Sequence, residues 1–168
     1  MTRLTFRPLG DEQEVEVCAM MMAQSEPWKT LRRDYEICKR VVSDPTREVY
    51  VALAGEENAE IAGFVILNMK GAFVGYIQTL CVAPERRGQG TGTALLRFAE
   101  ERILREVPNV FMCVSSFNEG AQRLYARLGY KVVGELTDYI VSGHSEILLR
   151  KSIAPLSEFR PSPKTVTK

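Results

Sequence analysis

Apolar residues recur along this chain at two spacings, and each change of spacing marks a change of element. Leu4 to Pro8 alternates as a short first strand. From Asp11 to Gln24 the period lengthens: Val15, Cys18, Met21 and Met22 share a helical face, and acidic residues crowd the first turn, where they oppose the positive end of a helix. Glu26-Pro27-Trp28-Lys29-Thr30 ends this helix, because proline cannot continue a helix interior. A second helix is expected from about Asp34 to Ser43, closed by Asp44-Pro45. Val49, Val51 and Leu53 then alternate, Gly55 to Ala59 turns, and Ala62 to Met69 returns as the second strand of a hairpin. Val74 to Val82 is a longer strand with few charges, as a central position requires. Next comes a helix with Leu95, Phe98, Ala99 and Ile103 on one face and Arg97, Glu100 and Glu101 outside it, ended by Val107-Pro108-Asn109. Val110 to Val114 reads as a buried strand, and Asn118 to Leu128 as a helix closed by Gly129, a residue suited to a left-handed cap. Lys131 to Thr137 and Ser145 to Lys151 are the final strands, joined across Asp138 to His144.

Between the long strand and the helix after it lies Pro84-Glu85-Arg86-Arg87-Gly88-Gln89-Gly90-Thr91-Gly92-Thr93, the most informative stretch of the chain. Alternating glycines lack Cβ atoms, so the backbone can turn sharply and approach a ligand closely. The first N–H groups of the following helix have no internal partner and carry a partial positive charge. Together these features suit a pyrophosphate or a similar anion. A P-loop would need Gly-Lys-Ser/Thr, and no such lysine is present. A dinucleotide fingerprint would need glycine at Thr93.

What remains, Arg87-x-x-Gly90-x-Gly92 after a strand reading Ile77-Gln78-Thr79-Leu80-Cys81-Val82, resembles the coenzyme A loop of the GNAT superfamily of N-acetyltransferases. A second cluster is similar to the other GNAT signature: Asn118, then Ala121, then Leu124-Tyr125, then Gly129 followed by an aromatic, Tyr130. The resemblance spans about residues 48–151 and implies an α/β fold, a mixed central sheet flanked by about four helices. In that fold two neighbouring parallel strands splay apart, here those ending near Val82 and Val114. A GNAT domain over residues 1–151 and a tail over 152–168 are expected; the tail has three prolines and by itself should be mobile unless something, such as the partner in a homodimer, holds it.

The implied reaction moves an acetyl group from acetyl-CoA to a primary amine, on a small molecule or on a peptide or protein. By resemblance, backbone groups of Leu80, Cys81 and Val82 meet the pantetheine arm, and one of their N–H groups or a neighbour's stabilises the oxyanion. Arg87, Gly88, Gln89, Gly90, Thr91, Gly92 and Thr93 form the phosphate loop. Asn118 orders the coenzyme chain, although a helix N-cap would also explain it. Tyr125 stands where many relatives carry a tyrosine that donates to the departing sulfur; two helical turns separate it from Asn118, so both can face one groove. Cys113 falls at or near the position where relatives that acetylate ribosomal proteins carry a glutamate, and cysteine is a poor base. Glu26, His144 and Glu146 are the other candidates, with Gln78 able to hold a water. A solvated turn would also explain His144, and an edge carboxylate or a salt bridge would explain Glu146. Loss of the ammonium proton through ordered water is therefore the expected route. Glu26 and Trp28, in the segment Ser25 to Leu31, and the connection from Asp138 to His144 are expected to flank the acceptor.

Composition narrows the alternatives. Apolar residues at 45%, charged residues at 26% and a net charge of +1 show no general attraction to nucleic acid or to a membrane surface. Residues Met1 to Phe6 have no apolar signal core, and the widely spaced Cys18, Cys38, Cys81 and Cys113 each lie in an apolar run, as core residues of a cytoplasmic protein would. With one histidine and no Cys-x-x-Cys, a metal site is not expected. A polycationic acceptor would want an acidic channel, and Glu26, Asp138 and Glu146 are a modest supply. A non-catalytic module that senses acyl-CoA is the alternative from another class, which retention of Tyr125 disfavours.

Overall fold

The computed structural model describes residues 3–55 and 59–162. Most of the expected turn between Gly55 and Ala59, the first two residues and the end of the tail lie outside the described residues. The elements are β1 (Leu4–Pro8), α1 (Glu12–Ala23), α2 (Tyr35–Val42), β2 (Glu48–Ala54), β3 (Glu60–Asn68), β4 (Tyr76–Val82), a 3₁₀ turn (Pro84–Arg86), α3 (Thr91–Leu104), β5 (Asn109–Ser115), α4 (Glu119–Arg127), β6 (Lys131–Leu136) and β7 (Glu146–Ser152). Short polar side chains cap the starts of α1, α2 and α4. Asp11 accepts from Glu14 N–H at 3.1 Å, Asp34 from Ile37 N–H at 2.9 Å and Asn118 from Ala121 N–H at 3.2 Å.

The strands form one sheet in the order β1-β2-β3-β4-β5-β7-β6, antiparallel throughout except for β4 beside β5. β3 is apolar without interruption because both of its faces are covered. Phe64 and Ile66 join a core under α1 and α2, with Cys18, Met22 and Cys38, while Val65 and Leu67 join a core under α3, with Leu95, Leu96 and Ile103.

Three expectations are corrected. Glu100 is not outside the packed face of α3: it is buried, and Lys151 Nζ reaches its carboxylate at 2.9 Å while lying 5.8 Å from the Tyr130 ring centroid, which ties α3 to β7. β7 is not an edge strand, since it runs between β5 and β6. The tail up to residue 162 is not loose but bonded to the domain: Ile153 N–H donates to Pro108 at 3.0 Å and Ser162 N–H to Arg105 at 2.9 Å.

Gly75, just before β4, is a point of close approach in the sheet. Its φ is +86°, and a Cβ there would lie 2.6 Å from both the Asn109 carbonyl oxygen and the Ile103 Cγ2. Gly71 has the same φ, but a Cβ would meet nothing within 4 Å. Gly71→Ala should therefore cost only left-handed strain, roughly 1–2 kcal/mol. Gly75→Ala should add about 1–3 kcal/mol of overpacking and lower the urea midpoint further. Equal losses for the two variants would show that Gly75 does not limit the approach of β4 to β5.

Candidate active site

β4 and β5 are joined at one end only. Phe111 N–H donates to the Gly75 carbonyl at 2.9 Å, and the parallel ladder consists of Tyr76 opposite Phe111 and Ile77 opposite Met112. Beyond these pairs the strands are not bonded to each other. Against β3 the register passes from Thr79 opposite Ile66 to Ile77 opposite Leu67, which leaves Gln78 as the extra residue of a β-bulge. The bulge shifts the strand's alternation by one residue. Ile77 packs in the core under α3 whereas Cys81 packs under α1 and α2, although an unbroken strand would aim both to one side. The same shift turns polar groups. Ala83 N–H donates to Ala62 of β3 at 2.9 Å, so by alternation the N–H and C=O groups of Leu80 and Val82 point into the gap beside β5. Arg87 Nε already occupies the Val82 carbonyl, at 3.1 Å. Cys81 is not exposed to the gap: its side chain is buried and its thiol is pushed up to about 12 by desolvation.

The glycine stretch sits at the open end of this gap. Gly88 and Gly90 have φ of +70° and +87°, and Gly90 is the N-cap of α3 with no side-chain cap bond. A Cβ at Gly88 or Gly90 would enter open space, whereas one at Gly92 would touch Val82 at 3.5 Å. The uncapped N–H groups of α3 thus face an open, Cβ-free mouth, which fits an anion. The Arg87 guanidinium does not lie free there. It also donates to Ser25 Oγ at 2.8 Å and so ties the loop to the end of α1, while Gln89 Nε2 donates to the Glu85 carbonyl at 2.8 Å.

A cavity of about 800 Å³ continues from the gap to both faces of the sheet. From α4, Asn118 and Tyr125 line it. Burial raises the Tyr125 pKa, so the phenol remains a proton donor, and its ring meets Tyr130 edge-on at 5.9 Å. The Asn118 oxygen is engaged as the helix cap, and its NH₂ has no partner among the described residues. On the opposite face lie Tyr76, Cys113 and Glu146, since their neighbours Ile77, Met112, Val114 and Ile147 pack toward α3. Cys113 is therefore not a core cysteine but part of the cavity wall. Glu146 is only 5% exposed and accepts from Ser115 Oγ at 2.6 Å. Desolvation raises its pKa above the usual carboxylate value, with the Ser115 bond opposing.

Trp28 lines the cavity as expected, but Glu26 does not: it is exposed and caps its own turn, accepting from Thr30 N–H at 3.2 Å. His144 lies off the cavity wall, edge-on to Phe117 at 4.8 Å, and Asp138 accepts from Gly143 N–H at 2.6 Å, closing its own loop. Sequence patterns alone do not mark Tyr76, Arg33, Arg47, Lys70 or Phe73, which also line the cavity. Phe73, an aromatic in a glycine-flanked turn, was the one signal available for that loop. Among the described residues no group of three or more His, Cys, Asp or Glu could hold a metal ion, and no helix is long and apolar enough to cross a membrane.

The raised Glu146 pKa sets a stability trend. Between its unfolded and folded pKa values the native state binds more protons than the unfolded chain, so stability falls as pH rises through that interval and levels off above it. Glu146→Gln should remove this component, and the stability difference between variant and wild type should change across the window from about pH 4.5 upward. Parallel pH profiles in urea unfolding would show that Glu146 titrates normally and is not buried.

The model of the acetyltransferase (GNAT) family matches residues 13–130. The chain is 34% identical over 122 residues to the chloroplastic GCN5-related N-acetyltransferase 6 of Arabidopsis thaliana, a match covering 69% of this chain and 42% of that protein, so the chain spans less than half of that relative. It is 28% identical over 104 residues to blasticidin-S acetyltransferase of Streptomyces morookaense, covering 62% of this chain and 76% of the relative. Its fold is that of Arabidopsis thaliana NAA60 solved with a bisubstrate analogue, with a TM-score of 0.73 at 21% identity over 90% of this chain and all (100%) of that one. The same protein with acetyl-CoA gives a TM-score of 0.70 at 20% identity, over 90% of this chain and 99% of that chain. The matched region covers both the bulged strand with its glycine mouth and the helix bearing Asn118 and Tyr125, and this chain belongs to the GNAT family of acetyltransferases.

Proposed function

We propose that the protein transfers an acetyl group from acetyl-CoA to a primary amine by direct attack. The observation that carries this reading is the gap itself: the N–H and C=O of Leu80 and the N–H of Val82, unpaired, lead from a mouth suited to an anion at Gly88 to Thr93 toward the Tyr125 phenol. The pyrophosphate of acetyl-CoA suits the α3 N-terminus, and the two pantetheine amides suit the strand groups, as in strand addition. Asn118 has a free NH₂ with which to hold the same chain. Arabidopsis thaliana NAA60, which shares this fold, was solved in complex with acetyl-CoA, which supports the choice of coenzyme.

The chemistry then follows the walls of the cavity. An alkyl amine titrates near 10 and must lose a proton before it attacks. Of the expected bases, only Glu146 reaches the cavity, so its carboxylate, raised toward the amine's pKa by burial, takes that proton directly or through one water. The amine nitrogen bonds to the acetyl carbon, a backbone N–H of the bulged strand meets the oxyanion, and the C–S bond breaks as Tyr125 gives its proton to sulfur; the proton that the attacking nitrogen sheds in becoming an amide returns through water to the phenolate. The rival reading, a module that binds acyl-CoA without turnover, leaves Glu146 and Tyr125 without a task.

Gly90→Val would put a branched side chain into the open mouth at a left-handed position. Calorimetry should show a large loss of acetyl-CoA affinity, and unchanged affinity would place the phosphates elsewhere. On the same preparations, Tyr125→Phe should lower turnover by about 10²-fold or less, because a thiolate leaves fairly well unaided, while affinity stays within a few-fold. Untouched turnover would make the tyrosine a packing residue.

A further inference from the structure

The acceptor side of the cavity has an unequal charge lining. Arg33 from the α1–α2 connection, Arg47 from the approach to β2 and Lys70 from the β3–β4 turn all border it, against a single carboxylate, Glu146. Among the described residues, Arg33 and Lys70 have no ion-pair partner. Arg47 is steered inward, its Nε 3.4 Å from Asp44 and its Nη1 donating to the Gln78 amide oxygen at the bulge. Asp44 offsets Arg47 alone, and two other acids near the cavity, Glu26 and Asp138, are each engaged with their own backbone turn.

These cations do not belong to the phosphate mouth. Arg47 meets β4 at Gln78, and Lys70 follows Asn68, which pairs with Tyr76 at the closed end of the strand. The glycine stretch begins beyond Val82, four residues past Gln78, or about 13 Å along a strand. Resting on the acetyltransferase reading above, we infer that the acceptor is a small molecule carrying a carboxylate or phosphate as well as its primary amine. Arg33, Arg47 and Lys70 hold the anionic group and Glu146 receives the ammonium end. A bidentate guanidinium matches either anion, and opposite charges at the two ends fix which end reaches the acetyl carbon. A volume of about 800 Å³, shared with the acyl end of the coenzyme, suits a small molecule. Polyamines and amino sugars meet the like charges of Arg33 and Lys70 instead.

The test compares amines of equal length as acceptors: an ω-amino carboxylate, an aminoalkyl phosphate, the unsubstituted amine and a diamine. Thiol release from acetyl-CoA should give kcat/KM at least about tenfold higher for an anionic member than for the unsubstituted amine, with the diamine lowest. Arg33→Gln and Lys70→Gln should each shrink that ratio. A neutral amine or diamine that equals the anionic members, a ratio unchanged in both variants, or activity confined to acidic peptides would overturn the inference. Calorimetry with the N-acetylated ω-amino acid and its carboxamide separates the two claims. If acetyl-CoA binds but no amine releases thiol, the enzymatic reading fails, while preference for the acid over the carboxamide would still support the anion site. Equal binding of the two would overturn it.

Discussion

Two parallel strands bonded at one end and free at the other are the feature on which the rest of this molecule depends. Gly75 lets β4 come close enough to β5 to form the closed end, where a Cβ would collide with the Asn109 carbonyl. The bulge at Gln78 then turns the polar groups of Leu80 and Val82 away from β3 and into the gap. Unpaired backbone groups buried between strands are costly unless something satisfies them, so the gap is a built demand for a ligand rich in amides. The glycine mouth and the helix bearing Tyr125 both follow the open end of this strand pair, one after each strand.

The gap also divides the labour between the faces of the sheet. On the α3 and α4 side lie the groups suited to a coenzyme, Asn118, Tyr125 and the uncapped start of α3. On the other side lie Tyr76, Cys113 and Glu146, rimmed by Trp28, Arg33, Phe73 and Tyr139 from three separate connections. The two sets of groups meet only where the sheet is open. Arg87 belongs to neither set. By bonding Ser25 and the Val82 carbonyl it couples the mouth to the end of α1, and so to the segment that carries Trp28.

Most of the element order was legible in the sequence because local chemistry marks the boundaries. Asp11, Asp34 and Asn118 each cap the helix that the apolar period announced, and Gly129 has the left-handed φ, +91°, expected of a helix stop. The glycine stretch and the Asn118 to Tyr130 cluster were legible because their spacing is local too. What stayed hidden depends on distant pairing. Tyr76-Ile77-Gln78-Thr79-Leu80-Cys81-Val82 looks like an unbroken strand, and only its pairing with β3 reveals the extra residue at Gln78. For Glu146 an edge carboxylate stayed open beside the candidate base, because nothing near it in sequence says that β7 inserts between β5 and β6. Glu26 and His144 are plausible bases by residue type, and only the paths of their loops remove them from the cavity.

Hydrogen exchange at single amides, with and without saturating acetyl-CoA, tests the central claim most directly. The Leu80 and Val82 N–H groups, which face the gap, should exchange readily in the free protein and become strongly protected with acetyl-CoA, together with the first amides of α3. The Cys81 amide, already paired to β3, should change little. Saturation with acetyl-CoA that leaves Leu80 and Val82 unprotected would contradict the account, because the coenzyme would then bind without entering the gap.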